Sequence, residues 1–172
     1  ALVVALPMGL YQAVRRGRAA DHAFTVVAFV LYSMPDFFFG LLLVALFSVQ
    51  LHLLPPQAPQ AESVAGILAD PRALVLPVVT LTLVSVASFS RYMRSSAIAV
   101  LAQDYVLVAR AKGLPERLVL SRHVLRNALL PVITVLGLAA PGIVTGAVIA
   151  ESVFNYPGMG LLFFQAATSK DY

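Results

Sequence analysis

Long apolar runs alternate with polar segments along this chain. Apolar residues dominate positions 1–14, 24–54, 73–90 and 128–150, and arginines or a Pro-rich stretch follow the first three runs. Because about 20 helical residues cross the hydrocarbon core of a bilayer, we expect these runs to be membrane spans or parts of spans. The pattern therefore predicts an all-α, polytopic helical membrane protein with about four spans.

Composition supports the same class. The chain is 60% hydrophobic and only 12% charged, with a mean hydropathy of +0.88. A disordered chain has the opposite balance, and an ordinary soluble domain has about twice this charged fraction. Cysteine is absent, which excludes a disulfide framework and a thiolate metal site. The chain opens inside an apolar run, so we expect it to be incomplete at both ends.

Positive charge is concentrated in two polar segments. Three arginines lie in 15–21 and seven Lys or Arg in 91–127, which together hold ten of the 12 basic residues. The segment 52–72 and the tail after 151 hold one each. The positive-inside rule assigns the two basic segments to the cytoplasm, and the four runs then alternate in direction.

The basic segment 91–127 is longer than a hairpin between spans needs, and its interior predicts two short helices. Asp104 suits the N-cap of a helix over 105–112, and Gly113 suits the glycine after its end. Pro115 and Glu116 suit the first turn of a second helix that continues into the last span. Two interpretations stay open at this point, a solvated basic hairpin held by lipid headgroups and a docking corner for another protein.

Five stretches of the sequence resemble a known family. The segments DYV at 104–106, ARAKGL at 109–114 and HVLRNA at 123–128 resemble the cytoplasmic signature of ABC-importer permeases, in the dipeptide, oligopeptide and nickel branch. ESVFNYPGMG at 151–160 and SMPDF at 33–37 resemble two further stretches of that branch. Leu107 and Arg126 replace a glutamate and a proline of the general importer signature.

The resemblance implies a permease domain over 1–172, with parts of four of six spans, in the inner or plasma membrane of a bacterium or archaeon. It implies that 91–127 is a coupling loop. It also implies a second permease subunit, cytoplasmic ATPase subunits that hold ATP-Mg, and an external substrate-binding protein. The cargo would be peptides or related small solutes, including nickel chelates. The residues expected to couple to the ATPase are Asp104, Ala109, Arg110, Ala111, Lys112, Gly113, Leu114 and Glu116.

No catalytic chemistry is expected in this chain. A serine nucleophile needs a base within reach, and no histidine lies in a predicted span, because the span within the run 24–54 covers 24–51 and His52 follows it. A Walker phosphate-binding loop is absent from the sequence, so ATP hydrolysis belongs to a partner chain, and we expect no cofactor, metal or nucleic acid here. The remaining alternative is a secondary transporter driven by an ion gradient, which needs buried acids at repeated positions.

A few residues inside or beside the spans have two interpretations each. Pro35 and Asp36 fall within a predicted span, where a carboxylate costs roughly 2.5–3.5 kcal/mol. Asp36 is therefore either an acid of the transport pathway or a structural acid beside the proline. Glu151 is expected to be an interfacial, solvated acid, with pairing to Lys170 or a binding protein as the alternative. Gly142 and Gly146 have the spacing of a helix-packing motif.

Overall fold

The structure, a computed structural model, describes residues 1–61, 63–145 and 148–169. These residues form α-helices joined by loops, which confirms the predicted all-α class. The helices are α1 (Leu2–Val14), α2 (Ala19–Ser33), α3 (Asp36–Leu43), α4 (Val64–Ala69), α5 (Pro71–Leu101), α6 (Asp104–Ala111), α7 (Glu116–Leu118), α8 (Arg126–Thr145), α9 (Val148–Val153) and α10 (Met159–Ser169). Two further segments are π-helical. Val44–Gln50 follows α3, and Val119–Leu125 joins α7 to α8.

Among the described residues, two helices are long and apolar enough to cross a membrane, Pro71–Leu101 and Glu116–Gly142. A third candidate span is the pair Ala19–Ser33 and Asp36–Gln50, if the two helices count as one bent span. Helix α1 is apolar but has only 13 residues. If the bent pair counts as one span, three candidate spans and the shorter helix α1 overlap the four predicted apolar runs.

Helix α5 extends beyond the point where we predicted its end. Arg91 and Arg94 close the apolar run, yet the helix continues through them to Leu101, for 31 residues in all. At a rise of 1.5 Å per residue it is about 46 Å long, more than the roughly 30 Å of a hydrocarbon core. Charge ends the part of a helix that lipid can surround, but arginine itself is a good helix former. The stretch 91–101 that follows the predicted span is therefore a continuation of α5, and its assignment to a cytoplasmic loop stays a prediction.

The predicted span over 24–51 is not one continuous helix. Helix α2 ends at Ser33 and α3 begins at Asp36, with Pro35 in an extended conformation (φ −58°, ψ 138°) at the N-cap. Proline has no N–H and its ring clashes with the carbonyl one turn earlier, while the residue before it is driven out of the helical region. Asp36 consequently lies in the first turn of a new helix.

The chain divides into two compact units. Unit 1 contains residues 1–32 and 85–138, and its core joins α1, α5, α6, the second π-helical segment and α8. Gly9 lets α1 approach α5, since a Cβ there would lie 2.7 Å from the Cβ of Met93. The buried members of this core are Ala13, Met93, Ala97, Val106, Ala109, Val119, Val124, Ala128 and Val132.

Unit 2 contains residues 33–84 and the described residues from 139 onward, and α3 packs on α9 within it. Phe154 is 1% exposed, and Gly40 leaves space for its ring. The loop after α3 is tied to the same place, because the N–H of Ala58 donates to the carbonyl of Phe154 at 2.8 Å. The side chain of Gln60 donates to the carbonyl of Asn155 at 2.6 Å.

Candidate functional site

The predicted break between two short helices forms a tight corner at residues 109–116, here called the Gly113 corner. Gly113 has a φ of +76°, in the left-handed region that favours glycine. Its N–H donates to the carbonyl of Arg110 at 2.9 Å, and the N–H of Leu114 donates to the carbonyl of Ala109 at 3.4 Å. This pair of bonds is the Schellman arrangement, which satisfies the last carbonyls of α6. The predicted role of Gly113 as helix terminator is confirmed.

The corner has an inner face and an outer face. Val106 and Ala109 are buried in the core of unit 1, and Leu114 packs against that core. Ala111 and Lys112 are exposed at the outer face. A Cβ at Gly113 would meet no atom within 4 Å, so the space beside the corner is open. The corner therefore presents backbone at its tip while its base is packed into the unit.

An ion pair spans the corner. Nη2 of Arg110 lies 2.7 Å from Oε1 of Glu116, and Nε lies 3.2 Å from Oε2. The hydrogen bonds that Arg110 donates to the Glu116 carboxylate raise the pKa of Arg110 above its ordinary value. Both side chains are exposed, with relative accessibilities of 38% and 51%. An exposed pair of this kind contributes about 1 kcal/mol or less, so its main effect is to order the two side chains.

Two of the residues predicted to couple to an ATPase are placed differently from expectation. Gln103, and not Asp104, is the N-cap of α6, and the cap makes no side-chain hydrogen bond. Asp104 is the first helical residue, where its charge still favours the N-terminal end of the helix dipole. Ala109 is only 4% exposed and faces the core, so it can support the corner but not form its outer surface.

Polar contacts attach the corner region to the long helices. The side chain of Asn127 donates to the hydroxyl of Tyr105 at 2.9 Å, which links the start of α8 to α6. The hydroxyl of Ser96 donates to the carbonyl of Ala128 at 2.8 Å, which links α5 to α8. A displacement of α6 would therefore be transmitted to both long helices through hydrogen bonds as well as through the apolar core.

A buried ion pair in unit 1 was missed by sequence reasoning. Arg94 donates from Nε to Oδ1 of Asp21 at 2.7 Å and from Nη2 to Oδ2 at 2.9 Å. Asp21 is 2% exposed and also accepts the N–H of Gly17 at 2.9 Å. The only available signal was an aspartate beside the arginines of 15–18, and nothing in the sequence identifies its partner 73 residues later.

The two predicted pathway residues are exposed on unit 2. Pro35 and Asp36 form the start of α3, and the carbonyl of Pro35 accepts the N–H of Phe39 at 3.1 Å. The N-cap makes no side-chain hydrogen bond. A carboxylate in the first turn of a helix is favoured by the helix dipole. Among the described residues, Asp36 makes no side-chain hydrogen bond that would cap the backbone beside Pro35, so both interpretations of Asp36 stay predictions.

Glu151 is not the solvated acid that we predicted. Its Oε2 accepts the N–H of Leu161 at 2.8 Å, in the first turn of α10. Its carboxylate lies against Gly158, where a Cβ would collide with it, and a Cβ at Gly160 would lie 3.0 Å from Oε2. Two of the glycines in the ESVFNYPGMG stretch thus leave space for the capping carboxylate. The alternative partner Lys170 lies outside the described residues.

Two other predictions from the sequence concern the glycine pair in the last apolar run and metal binding. Gly142 lies in α8, but Gly146 lies outside the described residues, and with it the predicted packing pair. Within 1–61, 63–145 and 148–169 the structure brings together no group of three or more His, Cys, Asp or Glu that could hold a metal ion.

Comparison with known proteins supports the resemblance. The oligopeptide transport system permease protein AppB of Bacillus subtilis is 39% identical over 100% of this chain and 55% of the relative. A putative peptide permease of Brucella ovis is 42% identical, covering 100% and 54%. The dipeptide transport system permease protein DppB of Escherichia coli K12 is 34% identical, covering 100% and 57%. The chain thus spans about half the length of the curated relatives it matches.

The sequence model described as "binding-protein-dependent transport system inner membrane component" matches residues 5–172. This match covers α1 to α10, including the Gly113 corner and the Glu151 cap. The chain therefore belongs to the family of binding-protein-dependent transport system inner-membrane components.

Proposed function

We propose that this chain is part of the permease subunit of an ATP-driven importer for peptides or related small solutes. Family membership and relatives named as oligopeptide and dipeptide permeases support this function. The chain would contribute to the transport pathway and would carry no catalytic step itself. Hydrolysis of ATP with magnesium takes place on partner ATPase subunits, and this chain only receives the resulting movement.

The Gly113 corner is the observation that carries this proposal. Its tip is open, with an exposed backbone and exposed Ala111 and Lys112. Its base is buried in the same core as α5 and α8. A partner that grips the tip would therefore pull on packed helices and not on a loose loop. We infer that α6 and the corner dock in a cleft of the ATPase and transmit its closure to the spans.

The proposal includes the other partners and the location. A second permease subunit would complete the pathway, and an external binding protein would deliver the cargo. The chain would cross the inner membrane of a bacterium or archaeon several times. The basic residues of 15–21 and 91–127 would face the cytoplasm, as the positive-inside rule requires.

A matched pair of glycine variants tests the coupling role. Gly17 has a φ of +78° and open space beside it, as Gly113 does. We expect Gly113→Trp, in the full-length protein within its complete transporter, to abolish uptake while ATP hydrolysis continues and membrane insertion is normal. Gly17→Trp should produce the same local backbone strain but leave uptake coupled. Normal uptake by Gly113→Trp would contradict the docking corner.

Cross-linking identifies what the corner contacts. A photoreactive amino acid is best placed at Ala111, which is exposed and has an ordinary helical backbone, so that Gly113 keeps its left-handed conformation. We expect capture of a protein with a phosphate-binding loop, with a yield that changes when ATP is added. Capture of lipid alone, with and without ATP, would support the basic-hairpin interpretation instead.

Asp36 remains a proposed pathway residue. An acid that contacts cargo should change transport when its charge is removed, so Asp36→Asn should alter the rate or the range of peptides taken up. Unchanged uptake kinetics with normal protein levels would contradict a role in the transport pathway and leave Asp36 as a residue of the first turn of α3.

A further inference from the structure

Unit 1 contains a polar cleft that the proposed coupling role does not use. The cleft has a volume of about 360 Å³ and lies among α1, α2 and α5. A cavity of this size falls within the usual range of small-ligand sites. We call it the Arg91 cleft, and the lining residues that matter here are Gln12, Phe29, Tyr32, Ser88, Arg91 and Ser95.

Arg91 is fixed in position yet has unused hydrogen-bond donors. Its guanidinium carbon lies 4.6 Å from the ring centre of Phe29 and 4.5 Å from that of Tyr32. Stacking of this kind attracts the cation to the ring faces and leaves the N–H edge free. Among the residues described, Arg91 has no ion pair, in contrast to Arg94, which is paired with Asp21.

The cleft also contains a buried amide whose nitrogen has no partner among the described residues. Gln12 is 1% exposed, and its Nε2 has no hydrogen-bond partner in the described part of the chain. A buried polar group without a partner costs about 1–3 kcal/mol, so a group that accepts a hydrogen bond from Gln12 would remove this cost. The hydroxyls of Ser88 and Ser95 line the same cleft. With a free cation, hydroxyls, an amide and no acidic residue in its lining, the cleft selects an anion.

The position of the cleft along the helices indicates which anion. Arg91 directly follows the apolar run of α5, and Gln12 lies one turn before the arginines of 15–18. In the proposed orientation, on which this inference rests, that level corresponds to the headgroups of the cytoplasmic leaflet. Basic pockets between helices at this level suit anionic headgroups. Exposed Val26 and Val30 share a face of α2 with Phe29 and would accompany acyl chains.

We propose that the Arg91 cleft binds the phosphate group of an anionic phospholipid from the cytoplasmic leaflet. The Arg91 guanidinium would donate to the phosphate oxygens, and Ser88 and Ser95 would add hydroxyl donors. The rings of Phe29 and Tyr32 would hold the guanidinium in place for this contact. The lipid would fill the gap among α1, α2 and α5 within unit 1.

Native mass spectrometry of the complete transporter, containing the full-length protein, tests the proposal with phosphatidylglycerol as the probe. Loss of a charge-assisted contact corresponds to about a tenfold change in affinity or more. We therefore expect Arg91→Gln to weaken phosphatidylglycerol binding about tenfold. Arg16→Gln, which removes an exposed arginine near the same level, should leave binding unchanged. Equal binding by Arg91→Gln and the unaltered protein, or equal binding of phosphatidylcholine, would overturn the proposal.

Competition distinguishes lipid from soluble anions. Millimolar inorganic phosphate or a tripeptide should not displace the bound phosphatidylglycerol, because the acyl chains contribute to its affinity. Displacement by phosphate would overturn the proposal and indicate that the cleft binds a free anion. Displacement by the tripeptide would also overturn it and indicate that the cleft binds cargo.

A measurement on the unaltered protein covers the case in which Arg91→Gln does not assemble. A photoreactive phosphatidylglycerol should label peptides containing residues 25–32 and 88–95, and absence of that label would overturn the proposal. Lipid binding is read without transport, so it can fail or succeed independently of the import function. Cytoplasmic labelling of a cysteine introduced by Arg18→Cys tests the orientation separately.

Discussion

Arg110 and Glu116 pair with each other across the Gly113 corner, at 2.7 Å between Nη2 and Oε1. The sequence marked both residues as contacts for another protein, yet each already has a partner within the chain. The pair joins the last turn of α6 to the first residue of α7, so it helps to hold the corner in the observed conformation. Lys112, between them, is exposed and has no ion pair among the described residues.

Charge reversal distinguishes a structural role of this ion pair within the corner from a direct contact of Arg110 with the partner protein. Arg110→Glu alone should weaken coupled uptake several-fold, because it places two like charges at the corner, at a cost of about 1 kcal/mol. The double variant Arg110→Glu with Glu116→Arg restores the attraction and should recover most of the uptake. Failure of the double variant, with normal ATPase assembly, would show that Arg110 contacts the partner directly.

The loss of stability caused by a substitution at Gly113 should depend on how readily the new residue adopts a positive φ. Gly113→Ala should lower the free energy of unfolding by about 1 kcal/mol, whereas Gly113→Asn should cost less, since asparagine adopts the left-handed region more readily. Thermal unfolding of the purified protein measures the effect. Gly17→Ala provides the control, with an equal loss of stability and no loss of coupled uptake. Equal stability of the alanine and asparagine variants at 113 would contradict this account.

Asp21 should be one of the most sensitive positions in unit 1. Asp21→Asn keeps the shape of the side chain but removes the charge that two Arg94 nitrogens contact. We expect a loss of about 2 kcal/mol, in the range of hydrogen bonds to charged groups, measured as a lower unfolding temperature. Asp104→Asn, at an exposed site, should change stability by about 0.5 kcal/mol or less. Comparable effects of the two variants would mean that the buried pair adds no stability.

Substitutions at Glu151 and Gly158 should have non-additive effects on stability. Glu151→Ala removes the carboxylate that caps α10, a change worth about 1 kcal/mol. Gly158→Ala adds a methyl group where that carboxylate lies, so it should displace the carboxylate and cause a similar loss.

The double variant at 151 and 158 should be little worse than either single variant, because the same contact is lost only once. Unfolding temperatures of the four proteins give this interaction energy. Strict additivity would show that the glycine is needed for some other reason.

Local features of the chain were predictable because each depends on neighbouring residues. Gly113 and Pro115 specify the corner through backbone preferences alone, and the predicted second helix does begin beside Pro115. Pro35 was visible in the sequence, but the long apolar run around it led us to predict one continuous span there. The extension of α5 to Leu101 was missed because hydropathy reports the lipid boundary and not the end of the helix.

The helical membrane class, the apolar runs and the Gly113 corner follow from the sequence alone. Hydropathy and turn chemistry act over a few successive residues, so they can be read directly from the sequence. The packed fold was needed to show that Asp21 meets Arg94, that Glu151 caps α10 and that Arg91 stacks on Phe29 and Tyr32. Helices that are apolar on most faces carry little information about which side packs on which neighbour. Contacts between residues distant in sequence therefore had to come from the packed fold.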